Sequence, residues 1–310
     1  MQSLPNIDTN INKEIAEGNE LLIKGNFQYA RIKFANLHAT HPNDFRVNLG
    51  LARCHHLEYR STSFSDPWCC QMAEKYYSKA IELSEQRDAF IFASYGLFCL
   101  DTDQLEKAEY YLFWALHSVP GNYGMSLGLG ITYLRRHQYY YALAVFSIMA
   151  QAAHILTKED RCDLYVNLGA TYFALSEILA LQPLKLKYLN IAKSYTGTAV
   201  AFNPQNADAN LHYGIILKTC GFFCKTRDDL TNAKVYLAKA ADSGTSYPCL
   251  ANAGLAEVFL EGKDTNEASH RLEIAKKMTP ENQRVANYLS QLEELMQSSQ
   301  QSSVPSNPSC

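Results

Sequence analysis

The chain has 310 residues, with 28 Lys and Arg against 31 Asp and Glu, a net charge of −3, and 47% hydrophobic against 19% charged residues. That balance is ordinary for a folded soluble protein. A mildly acidic chain with no Lys/Arg run lacks the basic stripe that nucleic acid requires, so no nucleic-acid partner is expected. The opening residues, MQSLPNIDTNINKE, contain no apolar signal core. The most apolar stretch, Tyr141 to Leu156, is broken by Ser147 and Gln151 and is too short to span a bilayer, so no direct membrane insertion is expected. The nine Cys fall mainly at apolar helical positions such as Cys99 and Cys220, the pattern of reduced cysteines in a cytoplasmic protein rather than of a disulfide framework, and Cys310 is read as a free tail thiol.

In chain order, a short lead of residues 1–10 precedes seven segments built on one template. Each is a helix with a small residue inside, a turn, a second helix carrying Ala and a large apolar residue, and a Pro or polar stop. The first holds Gly18, the turn Gly25-Asn26-Phe27, then Ala30, Phe34 and Leu37, with Pro42 as the stop. The second holds Gly50, Ala73, Tyr77 and Ala80. The third holds Gly96, the turn Asp101 to Asp103, then Ala108, Leu112, Ala115 and Pro120. The fourth holds Gly130, Tyr133, Ala142 and Phe146; the fifth Gly169, Tyr172, Ala192, Ala199 and Pro204. The sixth holds Gly214, Ala233, Leu237 and Ala240; the seventh Gly254, Ala268, Leu272, Ala275 and Pro280. Asn282 to Met296 is a last amphipathic helix, and 297–310, rich in Ser, Gln and Pro, is expected to be disordered. A Gly inside a helix costs about 1 kcal/mol against Ala, so each inner Gly predicts a neighbouring helix too close for a Cβ. The step from inner Gly to inner Ala is 12 residues in three segments and 14 in the seventh, but 23 for Gly50/Ala73 and Gly169/Ala192 and 19 for Gly214/Ala233. The longer steps predict an extended loop at Leu57 to Trp68, longer helices around Ile178 to Leu189, and a loop at Gly221 to Asp229.

This pattern of Gly, aromatic, Ala pair and Pro over residues 11–296 resembles the tetratricopeptide repeat family. The resemblance implies an all-α fold, a right-handed superhelical solenoid of antiparallel helix hairpins with a C-terminal capping helix. It also implies a concave groove lined by the first helices and a protein or peptide partner. In the family the residue two before the inner Gly points into that groove, which here is Asn48, Asn167 and Asn252; Ser94, Gly128 and His212 interrupt the series. A primary amide carries donors and acceptors that suit the backbone of an extended peptide. Leu51, His55, Phe90, Ser94, Leu97, Leu127, Ile131, Arg135, Ala170, His212 and Ile215 then complete the candidate binding surface. The paired Lys and Arg with which chaperone-binding relatives clamp a C-terminal carboxylate are missing.

Two further clusters invite other readings. Cys54-His55-His56 and Cys69-Cys70 carry zinc-ligand chemistry, but neighbours on a helix point about 100° apart and no CxxC or HxxxH spacing occurs, so no metal and no cofactor is expected. Tyr110-Tyr111, Phe113-Trp114 and Tyr139-Tyr140-Tyr141 exceed what a core needs, and Tyr110 and Tyr140 are expected on the outside of the second helices, where aromatic side chains favour interfaces. No GxSxG, HExxH or phosphate-binding loop is present, so no catalysis is expected. The sequence therefore predicts a non-enzymatic scaffold, adaptor or chaperone holding an extended segment of a partner. One alternative is a structural subunit that self-associates or joins a larger complex through its convex face and loops. Another is a regulator responding to a signalling peptide.

Overall fold

A computed structural model describes residues 7–62, 64–84, 88–278 and 283–302. Among them are fifteen α-helices and no strand. The chain divides into two compact units, residues 1–145 and 146–310.

The first unit contains α1 (Ile7–Ile23), α2 (Phe27–Thr40), α3 (Phe45–Ser61), α4 (Pro67–Leu83), α5 (Ala89–Asp101), α6 (Leu105–Ser118) and α7 (Tyr123–Arg135). Helix α8 (Tyr139–Gln151) runs through the junction. The second unit contains α9 (Lys158–Ile178), α10 (Gln182–Phe202), α11 (Ala207–Cys224), α12 (Arg227–Asp242), α13 (Pro248–Glu261), α14 (Thr265–Lys277) and α15 (Gln283–Ser302). Helices α1, α3, α5, α9, α11 and α13 each pair with the helix that follows, and successive first helices also touch, as in α5 with α7 and α9 with α11. The paired hairpins and last helix match the sequence reading. The last helix differs in length, continuing to Ser302 where the sequence predicted disorder from 297, and α1 begins at Ile7 inside the expected lead. Residues 303–310, with Cys310, lie outside the described residues, as does Pro280.

The hairpins share a closing device. The amide of the second turn residue donates to a carbonyl five residues back, as in Asn26 to Leu21, Gln104 to Cys99, Gln138 to Tyr133 and Asp264 to Phe259. This turn holds one residue in the left-handed region, and Gly25 fills it in the first hairpin at φ 76°. Asp103, His137 and Lys263 adopt the same conformation at φ 59°, 60° and 62°.

The inner glycines show why the repeat needs them. A Cβ on Gly18 would lie 2.7 Å from the Phe34 ring, and one on Gly50 would lie 2.3 Å from it. Phe34 of α2 is therefore clasped between the glycine of its own first helix and that of the next. Leu112 sits in the same way between Gly96 and Gly128, at 2.7 and 3.3 Å, and Leu237 between Gly214 and Gly254, at 2.7 and 3.2 Å. In α2, α6 and α12 one large side chain thus locks two first helices.

The lengthened hairpins grow mostly as helix, not loop. Helices α3 and α4 absorb most of the predicted loop at 57–68, and α11 and α12 absorb most of 221–229. In the latter pair the glycine contact repeats one heptad further out, where Gly221 faces Leu230 at 2.7 Å. Extending a packed helix pair satisfies every added backbone group internally, which an open loop cannot do. The predicted lengthening around Ile178 to Leu189 is helical, as expected.

Candidate functional site

The sequence-predicted residues on the first helices fall into two groups. Asn48, Leu51, His55 and Asn252 are buried. Asn48 is 0% exposed, and its amide nitrogen donates to the carbonyls of Pro42 and Asp44 at 2.9 Å each. Asn210 repeats the arrangement toward Pro204 and Asn206 at 3.0 and 2.8 Å. Each of these amides ties the start of a first helix to the Pro-containing loop before it. Asn167 donates to Asp163 and Asn252 to Pro248, each one helical turn back. The amides therefore fasten their own helices, and the series that counts is set by distance from Pro rather than from Gly.

Ser94, Leu97, Leu127, Ile131, Ala170, His212 and Ile215 are half-buried, and Phe90 is 62% exposed. Arg135 donates to the Leu100 carbonyl at 2.7 Å and to Asp103 at 2.9 Å, bracing the α5–α6 turn. Asp208, a neighbour of the predicted surface, accepts from Thr245 at 2.5 Å and from the amide and hydroxyl of Ser246 at 2.8 and 2.7 Å. Burial alone would raise its carboxyl, but these donors outweigh it and hold Asp208 below the ordinary carboxylate range. A depressed folded-state pKa stabilises above the unfolded value and is lost as pH falls through the folded one. Asp208→Ala is expected to cost about 2 kcal/mol near neutral pH, with the difference from wild type shrinking in thermal scans run below about pH 4.

The second helices of the first unit carry the exposed aromatic face. Phe113, Leu116, His117, Pro120, Leu129, Tyr133, Tyr141, Ala144 and Val145 line a shallow cavity of about 400 Å³. A second cavity beside it shares Phe113 and Tyr133 and adds Glu106, Glu109, Tyr110, Trp114 and Arg136. Phe113 is 49% and Tyr141 64% exposed, while Leu129 forms a buried floor. The rings brace one another, with Tyr133 and Tyr141 centroids 5.5 Å apart and Phe113 and Trp114 5.9 Å apart. Arg136 is held by Glu109 and also pairs with Glu106 at 3.6 Å, so one cation stands against two carboxylates on this rim. The sequence reading placed Tyr110 and Tyr140 outside, and both are exposed. It listed Tyr133 only as part of the fourth repeat, and the structure places it in the wall shared by the two cavities.

The Cys-His cluster separates by helix geometry. Cys54 points into the core, and burial pushes its thiol up to about 12. His56 turns toward Asp101 at 2.8 Å and the Tyr77 hydroxyl at 3.2 Å. His55 alone faces the start of α4, beside Trp68 and Cys69. Cys54, Cys69, Cys70, Cys99, Cys162, Cys220 and Cys224 are free thiols. No described helix is long and apolar enough to cross a membrane.

No known family model matches the sequence, and no curated protein does. Solved structures do. A tetratricopeptide repeat protein from Parabacteroides merdae superposes with a TM-score of 0.62 at 11% identity, over 91% of this chain and 98% of that one. A chain of the Cut9–Hcn1 hetero-tetramer of the APC/C superposes with a TM-score of 0.58 at 12% identity, over 95% of this chain and 51% of that one. Human IFIT1, solved as a dimer with PPP-AAAA, superposes with a TM-score of 0.53 at 16% identity, over 85% of this chain and 72% of that one. With its paired helix hairpins and glycine-clasped side chains, the chain has the tetratricopeptide repeat fold.

Proposed function

We propose that this chain is a non-enzymatic protein-interaction module that engages its partner through the aromatic face of α6, α7 and α8. The supporting observation is the pair of adjoining cavities that share Phe113 and Tyr133 on an exposed face. Exposed aromatic side chains around a shallow apolar cavity are the usual anchors of a protein interface. The partner we infer is a protein presenting an apolar side chain to the Phe113–Tyr133–Tyr141 cavity. The Cut9–Hcn1 likeness supports membership of an assembly for a chain of this fold. The IFIT1 likeness raises RNA, but the net charge of −3 and a rim where Arg136 is already paired with Glu106 and Glu109 disfavour a phosphate backbone at this face. A second reading, an extended peptide on the first-helix face, draws on the half-buried apolar positions Leu97, Leu127 and Ile131 beside exposed Phe90. This reading keeps the sequence-predicted surface but not its asparagine ladder.

The test captures partners from native lysate with wild type, identifies them by mass spectrometry, and titrates the purified partner against two variants. Phe113→Ala with Tyr141→Ala is expected to weaken binding by roughly 30-fold or more. Phe90→Ala with Leu97→Ala is expected to leave it unchanged. The reverse outcome moves function to the first-helix face.

A further inference from the structure

The hairpin of α3 and α4 holds three metal-ligating side chains that no role described above uses. His55 and Glu58 stand three residues apart on α3, hence on one face, while Cys54 and His56 rotate away. The antiparallel turn brings Cys69, in the first turn of α4, opposite them. His55 Nδ1 lies 3.5 Å from Glu58 Oε2, and Cys69 Sγ lies 3.7 Å from the same oxygen. All three ligand atoms fall within 4.8 Å of one another. His55 is 3% exposed, and its Nδ1, within ion-pair range of Glu58, makes no hydrogen bond. A buried polar atom left so costs about 1–3 kcal/mol, which asks for an explanation.

The surroundings fix the geometry. The His55 ring stacks on Tyr76 at 5.9 Å with planes 3° apart and meets Trp68 edge-on at 5.0 Å. Arg31 donates to Glu58 Oε1 at 2.9 Å, orienting the carboxylate so that Oε2 remains for the cluster. We propose that His55 Nδ1, Glu58 Oε2 and Cys69 Sγ form a zinc-binding site that staples α3 to α4. Imidazole, carboxylate and thiolate suit zinc, and the thiolate selects against calcium and magnesium. Metal–ligand distances near 2.0–2.3 Å put tetrahedral ligands about 3.3–3.8 Å apart, so the two contacts to Glu58 already fit and only His55 and Cys69 draw together. Binding exchanges the Cys69 thiol proton, released to solvent, for a sulfur–zinc bond. One carboxylate and one thiolate then balance the ion's charge. Three protein ligands leave the fourth position to water or to a donor from a partner.

The test titrates the chelator-stripped full chain with cobalt, then measures zinc by competition against a chromogenic chelator. Wild type is expected to take up one cobalt with a thiolate-to-cobalt charge-transfer band. Cys69→Ser should abolish that band and weaken zinc by more than about 100-fold. Cys70→Ser, on the adjacent thiol, should change neither. Glu58→Gln, which keeps side-chain shape, should weaken zinc and retain the band, and it carries the test if Cys69→Ser fails to fold by circular dichroism. A wild type without the band, a Cys69→Ser protein that keeps it, or a Glu58→Gln protein with unchanged affinity would overturn the site.

Discussion

Phe34→Ala is expected to remove about 3–5 kcal/mol from the stability of the first unit, read as the shift in urea midpoint followed by far-ultraviolet circular dichroism. The ring is fully buried and fills the space between Gly18 and Gly50, which have no side chain to collapse into the void. The clasp predicts more than the single loss. Gly50→Ala in the wild type drives a Cβ into the ring at 2.3 Å and should cost about 1–3 kcal/mol despite the better helix propensity of Ala. In the Phe34→Ala background the same change places a methyl in the new cavity and should be neutral or stabilising. Strong coupling in this double-mutant cycle is the signature of the clasp; additive effects would mean that the glycine and the ring do not constrain each other.

Glu257→Ala is expected to cost about 3 kcal/mol in the second unit and to loosen α15. Lys218 on α11 donates to Glu257 on α13 at 2.5 Å and to the Tyr288 hydroxyl on α15 at 3.0 Å. Tyr288 in turn donates to Glu257, and burial with the Glu257 charge pushes its phenol well up, so it stays protonated and a donor. Only 12% of the Lys218 side chain is exposed, so removing Glu257 leaves a buried ammonium without its counter-charge. Replacing both partners by apolar residues, Lys218→Met with Glu257→Leu, should cost less than Glu257→Ala alone, because no uncompensated charge remains. Amide exchange along α15 reports whether the last helix opens first; protection unchanged in Glu257→Ala would show that apolar packing alone holds it.

The hairpins were legible because their signals are local. Gly96, Ala108, Leu112 and Ala115 sit at helical spacing between turn residues, and the same step from Gly to Ala returns at Gly18 and Gly130. The glycine argument also carried over, since a Gly tolerated inside a helix implies a close neighbour, and the neighbours are Phe34, Leu112 and Leu237. Asn48, expected to face a groove, is buried instead, and the reason is physical. An amide two residues before Gly can point outward or bend back to its own loop, and Asn48 does the latter because Pro42 leaves a carbonyl within reach. Arg135 and Asp208 are likewise spent on turns that only the folded chain brings near them.

By itself the sequence determined that this is an all-helical chain of repeated hairpins, because helical period, inner glycines and turn residues are properties of neighbouring positions. Only the tertiary structure decided which polar groups are consumed internally and which surface is left over. Those outcomes depend on pairs far apart in sequence, such as Phe113 with Tyr141 and Glu58 with Cys69, whose approach is set by how one helix packs on the next.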